Sequence, residues 1–407
     1  MKSNNWSLEN GREAVWKILS FLVSPFLGFL VSLRKMNTKS SFCIFYLFAL
    51  VYGLSLTTSI GRDEEHGEDA TVYRRYFELV ADGTFSPEVF YTTYFSGESN
   101  DKVKDLFHIF TCQIVSSFTH NYHFYFLFIA AIFAFFQLKS LRILFNHAPP
   151  VFSYVTICLL FLFTFNQIFN INGLRFWTAA WIGVYIALEV FVNHRMRYIF
   201  LALVLPLVHT AFSLFVGLLV ICYFFRSHEK LWRYIFYFSM VLSVFGENII
   251  NVSPEFLPPV LSRMVDDYLA KDIMSLPGSF GAIIIKFLDF GKRLYINLFV
   301  IIFIINRKRI LNSEYRDLYL LTLIFMSFSN MFMFVASLGS RFLLISFPFV
   351  IFLWFVTFKP NQYKIFVSLI PLVFFYDIFA FCIKYSKAVP TSFWYSSPFS
   401  TIINTIF

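Results

Sequence analysis

Two stretches of this 407-residue chain place an arginine beside a polar turn at the start of an apolar run. Asn166-Gln-Ile-Phe-Asn170-Ile-Asn172-Gly-Leu-Arg175 leads into Phe176 and Trp177, and Gly339-Ser-Arg341 leads into Phe342-Leu-Leu. A helix N-terminus already offers unbonded N–H groups and a positive dipole end to an anion. An arginine there adds a planar, permanently charged fork that matches phosphate oxygens. The same side chains also suit a second role, with the guanidinium snorkelling to a lipid interface. Two arginines in equivalent positions favour a shared ligand, and a pyrophosphate is an anion that needs such a clamp.

Proton-transfer candidates lie elsewhere. Asp63, Glu64, Glu65, Glu68 and Asp69 crowd one segment, which runs into Tyr73-Arg74-Arg75-Tyr76. A carboxylate there can take the proton of an attacking hydroxyl, although a charged run is also an ordinary solvated loop start. Asp69 and Tyr73 stand four apart and would share a helix face. His209, in Leu205-Pro-Leu-Val-His209-Thr-Ala-Phe, is the second candidate, with a satisfied structural histidine as its alternative. Tyr73, Arg74, Asn166, Asn170, Asn172 and Trp177 supply the polar groups and ring faces expected to touch a substrate. Arg263, Asp266, Asp267, Lys292 and Arg293 are lesser candidates, and Glu189 and Asp377, inside apolar runs, read as structural. Cys43, Cys112, Cys158, Cys222 and Cys382 show no metal-ligand spacing and read as buried thiols. There is no P-loop, GxGxxG or HExxH motif. The expectation is a reaction with no cofactor and no metal.

The elements that position these residues belong to a membrane. The chain is 58% hydrophobic and only 14% charged, and it holds 59 phenylalanines. Its mean hydropathy is +0.67. A soluble globule has too little interior for that much apolar side chain, so a cytosolic enzyme, a nucleic-acid binder and a disordered chain are excluded. The net charge of +9 sits mostly in short loops, where it sets topology. Helical crossings are expected at 42–60, 122–142, 151–168, 174–192, 198–209, 211–225, 232–246, 283–306, 317–338, 342–358 and 364–384, about eleven in all. Arg34, Lys35, Lys39, Lys139, Arg142, Arg195, Arg197, Arg226, Lys230, Arg307, Lys308, Arg309 and Lys359 then fall on the cytoplasmic side. Segments 61–121 and 247–282 and the C-terminal tail fall outside. Residues 1–41 are expected to be cytoplasmic or interfacial, with 14–33 an interfacial or half-inserted helix. Residues 42–384 form the membrane domain, 104–119 an amphipathic helix on the outer surface, and 385–407 a tail.

Asn172-Gly-Leu-Arg175-Phe-Trp-Thr-Ala-Ala180, a basic loop, and then His209-Thr-Ala-Phe at the end of the next apolar run resemble the EpsG/Wzy-like polysaccharide polymerases. Asp69 and Tyr73 fit that family's Asp-x-x-x-Tyr signature, and Arg341 fits its late arginine. Phe176 departs from the glutamine common after the first arginine. The resemblance runs from about 42 to 360. It implies an all-α, GT-C-like inner-membrane enzyme of a bacterium, with its site on the external face. It implies a polyprenyl-pyrophosphate-linked oligosaccharide as donor and as acceptor, membrane lipid as surroundings, a chain-length regulator as partner, and no nucleic acid. His209, Asp69, Arg175 and Arg341 would be catalytic. An O-antigen ligase or another lipid-linked glycosyltransferase is the alternative, followed by a flippase or transporter.

Overall fold

The computed structural model describes residues 6–58, 69–84, 106–147, 173–252, 280–333, 336–359, 362–375 and 388–406. Among them every regular element is a helix. The chain divides into two units, one of residues 1–190, 195–216 and 377–407 and one of 191–194 and 217–376.

In the first unit, α1 (Gly11–Val23) and α2 (Pro25–Ser32) fold back on each other. Ser24 caps the second helix through its hydroxyl and Pro25 opens it, the residue types that start helices. A Cβ on Gly28 would fall 2.6 Å from the Phe21 Cα, so the hairpin closes only around a glycine. Residues 14–33, expected as one interfacial or half-inserted helix, are thus two helices folded as a hairpin. Lys17, which interrupts the apolar run, is buried. It donates to Glu9, to Thr38 Oγ1 at 2.8 Å and to Ser40 Oγ at 3.2 Å. Burying an ammonium without such partners would be prohibitive. The outer face of the hairpin exposes Trp16, Leu19, Leu27 and Leu30.

The hairpin lies along α3 (Lys39–Leu54), where Phe29 meets Phe45 and Phe48. Its tip reaches the C-terminal segment: Ser24 Oγ donates to the Trp394 carbonyl at 2.9 Å. The same segment hydrogen-bonds Thr57 from Ala388 and packs Phe393 on Phe48 and Tyr52. Its last helix, Pro398–Ile406, packs on α1 and α3. Residues 388–406 therefore follow α3.

Next come α4 (Asp69–Ala81), α5 (Leu106–Ser116) and α6 (Tyr122–His147). The α6 helix runs antiparallel to α3. Arg142 at its end donates to Asn37 at 2.7 Å, and His123 at its start meets the Leu54 carbonyl at 2.8 Å. Gly53 lets the two backbones close: a Cβ there would lie 2.5 Å from the Ala130 Cβ. α7 (Leu174–Phe191) follows, with Phe133 on Trp181 and Phe136 on Tyr185. The expected crossing at 198–209 is broken into α8 (Tyr198–Leu201), a 3-10 turn and α9 (Leu205–Val208). α10 (Phe212–Phe225) then reverses direction. Tyr198 meets Tyr185, whereas both His209 and Phe212 meet Phe176 near the start of α7. The run 198–225 is a hairpin of two, as the basic residues at both its ends require.

The second unit contains α11 (Glu229–Val252), α12 (Phe280–Ile305), α13 (Arg307–Leu311), α14 (Arg316–Met331), α15 (Ala336–Thr357), α16 (Lys364–Ser368) and α17 (Ile370–Val373). Its basic end is pinned by Arg226 with Asp317 and by Glu229 with Arg233 and Tyr319. At the other end Asn297 and Asn330 exchange amide hydrogen bonds of 3.1 and 2.8 Å.

Three described helices, Tyr122–His147, Leu174–Phe191 and Leu338–Thr357, are long and apolar enough to cross a bilayer. Of the other expected crossings, α11 and α12 are long unbroken helices outside that set, 42–60, 211–225 and 317–338 are shorter helices, 198–209 and 364–384 are broken, and 151–168 lies outside the described residues. Cys112 and Cys222 are buried as expected, but Cys43 is exposed.

Candidate functional site

Arg175 is the second residue of α7, in the first turn of that helix. Gly173 precedes it in a tight turn. A Cβ at Gly173 would sit 3.0 Å from the Trp177 ring, so the indole packs down on the turn. Arg175 Nε donates to Tyr73 Oη at 3.0 Å, and its guanidinium carbon lies 5.2 Å from the Tyr73 ring centroid. One bond through Nε fixes the plane of the fork.

Tyr73 is presented by α4, one turn after Asp69, which opens that helix. The expectation that the two share a helical turn is met in the backbone. Behind Tyr73 stands a residue the sequence reading missed. His108 of α5 is fully buried, its ring 5.0 Å from Tyr73 and 5.8 Å from Tyr76. Its Nδ1 is 2.6 Å from Tyr125 Oη, and Tyr125 stacks on Phe77. Burial, and then the charge of Arg175, hold the imidazole neutral down to about 3. Burial likewise pushes the Cys112 thiol up, beyond reach of ionisation at neutral pH. The wall behind Arg175 is therefore uncharged and poorly polarisable, which strengthens the field of the guanidinium. The signal for His108 was present: His108, Thr111, Cys112 and Val115 repeat at helical spacing on one buried face.

His209 joins this end of α7 from the other side. Its backbone is extended at the end of α9, and its ring meets Phe176, next to Arg175, at 5.3 Å. The Ala211 N–H donates to its Nδ1 at 3.2 Å. A neutral ring with Nδ1 accepting carries its proton on Nε2, so it is set to donate.

The other candidates divide. Trp177 is 5% exposed and Tyr73 is 4% exposed, so both fill the wall of the site and offer little ring face to a sugar. Arg74 faces a different set of partners: it donates to Glu78 at 2.7 Å and Thr58 at 3.3 Å and lies 4.0 Å over the Tyr122 ring. Asn166, Asn170 and Asn172 lie outside the described residues, as do Arg263, Asp266, Asp267 and Asp377. Glu189 is buried and bonded to Arg195 at 3.2 Å, the structural role expected. Arg341 belongs to the second unit. Its helix starts at Ala336, six residues before the expected 342, which puts Arg341 in the second turn. Gly339 beside it lets the helix meet the preceding turn, since a Cβ would fall 2.6 Å from the Phe332 carbonyl oxygen.

A family model described as the EpsG family matches residues 45–397. The chain belongs to the EpsG family. No curated protein and no solved structure matches it. Membership makes this a membrane protein related to polysaccharide polymerases, in keeping with its apolar helices. The EpsG match covers both units, so Arg175, His209 and Arg341 all lie within it. What the first unit offers chemically is a cationic fork at a helix N-terminus, backed by neutral rings, with the His209 imidazole packed on the neighbouring Phe176.

Proposed function

We propose that this EpsG-family chain is a glycan polymerase. It joins oligosaccharide repeat units carried on polyprenyl pyrophosphate at the external face of a bacterial inner membrane. The observation that carries the reading is Arg175, set at a helix N-terminus and held in plane by Tyr73. A hydroxyl of one lipid-linked repeat unit attacks the anomeric carbon of the growing chain. The new C–O bond forms as the bond to the pyrophosphate oxygen breaks, and that electron pair leaves with the lipid pyrophosphate. Arg175 takes up the charge that develops on the leaving group, and Arg341 of the second unit is a further proposed catalytic arginine. Asp69, one turn before Tyr73, accepts the hydroxyl proton. His209, with its proton on Nε2, is assigned to donate a hydrogen bond to the substrate, so the general-base role falls to Asp69. The sugar–pyrophosphate bond is already activated, so no further energy source is required.

The decisive experiment keeps the charge and removes the fork. Arg175→Lys and Arg341→Lys are expected to reach the membrane at normal levels and to make mostly single-repeat product. A lost charge-assisted hydrogen bond costs about 1.5–3 kcal/mol, or roughly tenfold to a hundredfold in rate. Wild-type glycan ladders from both variants at equal protein level would make these residues lipid-interface anchors and end the proposal.

A further inference from the structure

Beside the polar cluster the first unit carries a groove of about 430 Å³ between α5, α6 and α9. That is within the ~300–1,000 Å³ range of small-molecule sites. Phe107, Phe110, Phe128, Ile132, Leu207 and Val208 form most of its wall. Thr111 is its one polar lining residue, and its hydroxyl is satisfied inward by the Phe107 and His108 carbonyls at 2.8 and 2.9 Å. The groove thus presents no hydrogen-bonding group to an occupant, and water gains nothing by filling it. Phe110 and Leu207 stand largely exposed at its mouth.

Its walls are those of the polar site seen from behind. One face of α5 puts His108 against Tyr73, and the neighbouring face puts Phe107 and Phe110 into the groove. α9 lines the groove with Leu207 and Val208, and its next residue is His209. A ligand whose anionic head meets Arg175 and whose chain enters this groove must be amphiphilic. The chain must be pure hydrocarbon, and the ring-lined wall suits one thickened by methyl branches.

We infer that the groove holds the isoprene units nearest the pyrophosphate of the lipid-linked substrate. The inference rests on the polymerase reading and deepens it. It makes the carrier lipid a recognised part of the substrate and not merely its anchor.

The test uses the full chain in phospholipid nanodiscs. The same repeat unit is supplied on full-length polyprenyl pyrophosphate and, as the short carrier, on methyl pyrophosphate, which has no isoprene unit. Leu207→Trp fills the groove from its exposed mouth, and Phe110→Ala removes part of its wall. At equal amounts of folded protein, the ratio of KM for the long carrier to KM for the short one is expected to rise about tenfold in Leu207→Trp. It should rise in the same direction in Phe110→Ala. An unchanged ratio in both variants overturns the inference and leaves the polymerase reading standing. So does a wild-type chain that treats both carriers alike, which would mean that the groove takes only bulk phospholipid chains. A wild-type chain that extends neither substrate overturns the polymerase reading itself, and the assigned occupant with it.

Discussion

In the proposed mechanism Tyr73 and His108 act through Arg175. Tyr73→Phe removes the acceptor of the Nε hydrogen bond and leaves the ring in place. Arg175 is only half-buried, so the freed Nε–H can turn to water at little cost to stability, but a fork that swings loses its aim. The expected outcome is roughly a tenfold fall in kcat with little change in thermal stability, measured on purified protein with lipid-linked repeat units. His108 adds a pH dependence. Folded, it stays neutral down to about 3, whereas unfolded it protonates near its ordinary 6.5. Its contribution to stability is intact above 6.5 and is lost as the pH falls from 6.5 towards 3. By pH 5 the loss is about 2 kcal/mol. Melting temperatures taken at pH 7.5 and 5 should therefore converge in His108→Leu relative to wild type. An equal drop in both proteins would place the acid sensitivity elsewhere. The sequence made Arg175 legible because a helix-start arginine after Asn-Gly is a local pattern. It hid His108, because the value of a lone histidine in an apolar run depends on what α4 and α6 bring to it.

At the scale of elements, α3 and α6 meet through Gly53, and this contact holds the scaffold on which α4 and α5 rest. A methyl group there would press on Ala130 and on the Phe126 backbone, which cannot withdraw. Gly53→Ala is expected to cost about 1–3 kcal/mol, read as a lower melting temperature. Gly217→Ala, in the same kind of helix but with nothing within 4 Å of the new Cβ, is expected to be neutral or slightly stabilising. Equal effects would show that α3 and α6 relax freely at their contact. Helices such as Tyr122–His147 and Leu174–Phe191 were readable because apolar length alone specifies them. The α1–α2 hairpin was not, because Lys17 looks like an interruption until Glu9 and Thr38 neutralise it. Nor was the break at 198–208, which Pro206 marks but does not locate.

Over the whole molecule, loop charge predicts the two faces. Cysteine labelling from outside intact cells should reach positions at Asp69 and Arg341 and should miss Arg195 and Lys308. Labelling near Arg175 from the cytoplasmic side would contradict the polymerase proposal. The packing of the tail was hidden for a different reason. Nothing local in residues 388–406 announces that their partners lie some 370 positions earlier. That long-range bond has a consequence for how the chain is made. Ser24 leaves the ribosome some 370 residues before the Trp394 carbonyl that receives it. Until Trp394 is made, the hairpin and α3 wait with an open flank, and residues 388–406 are the bolt that closes it.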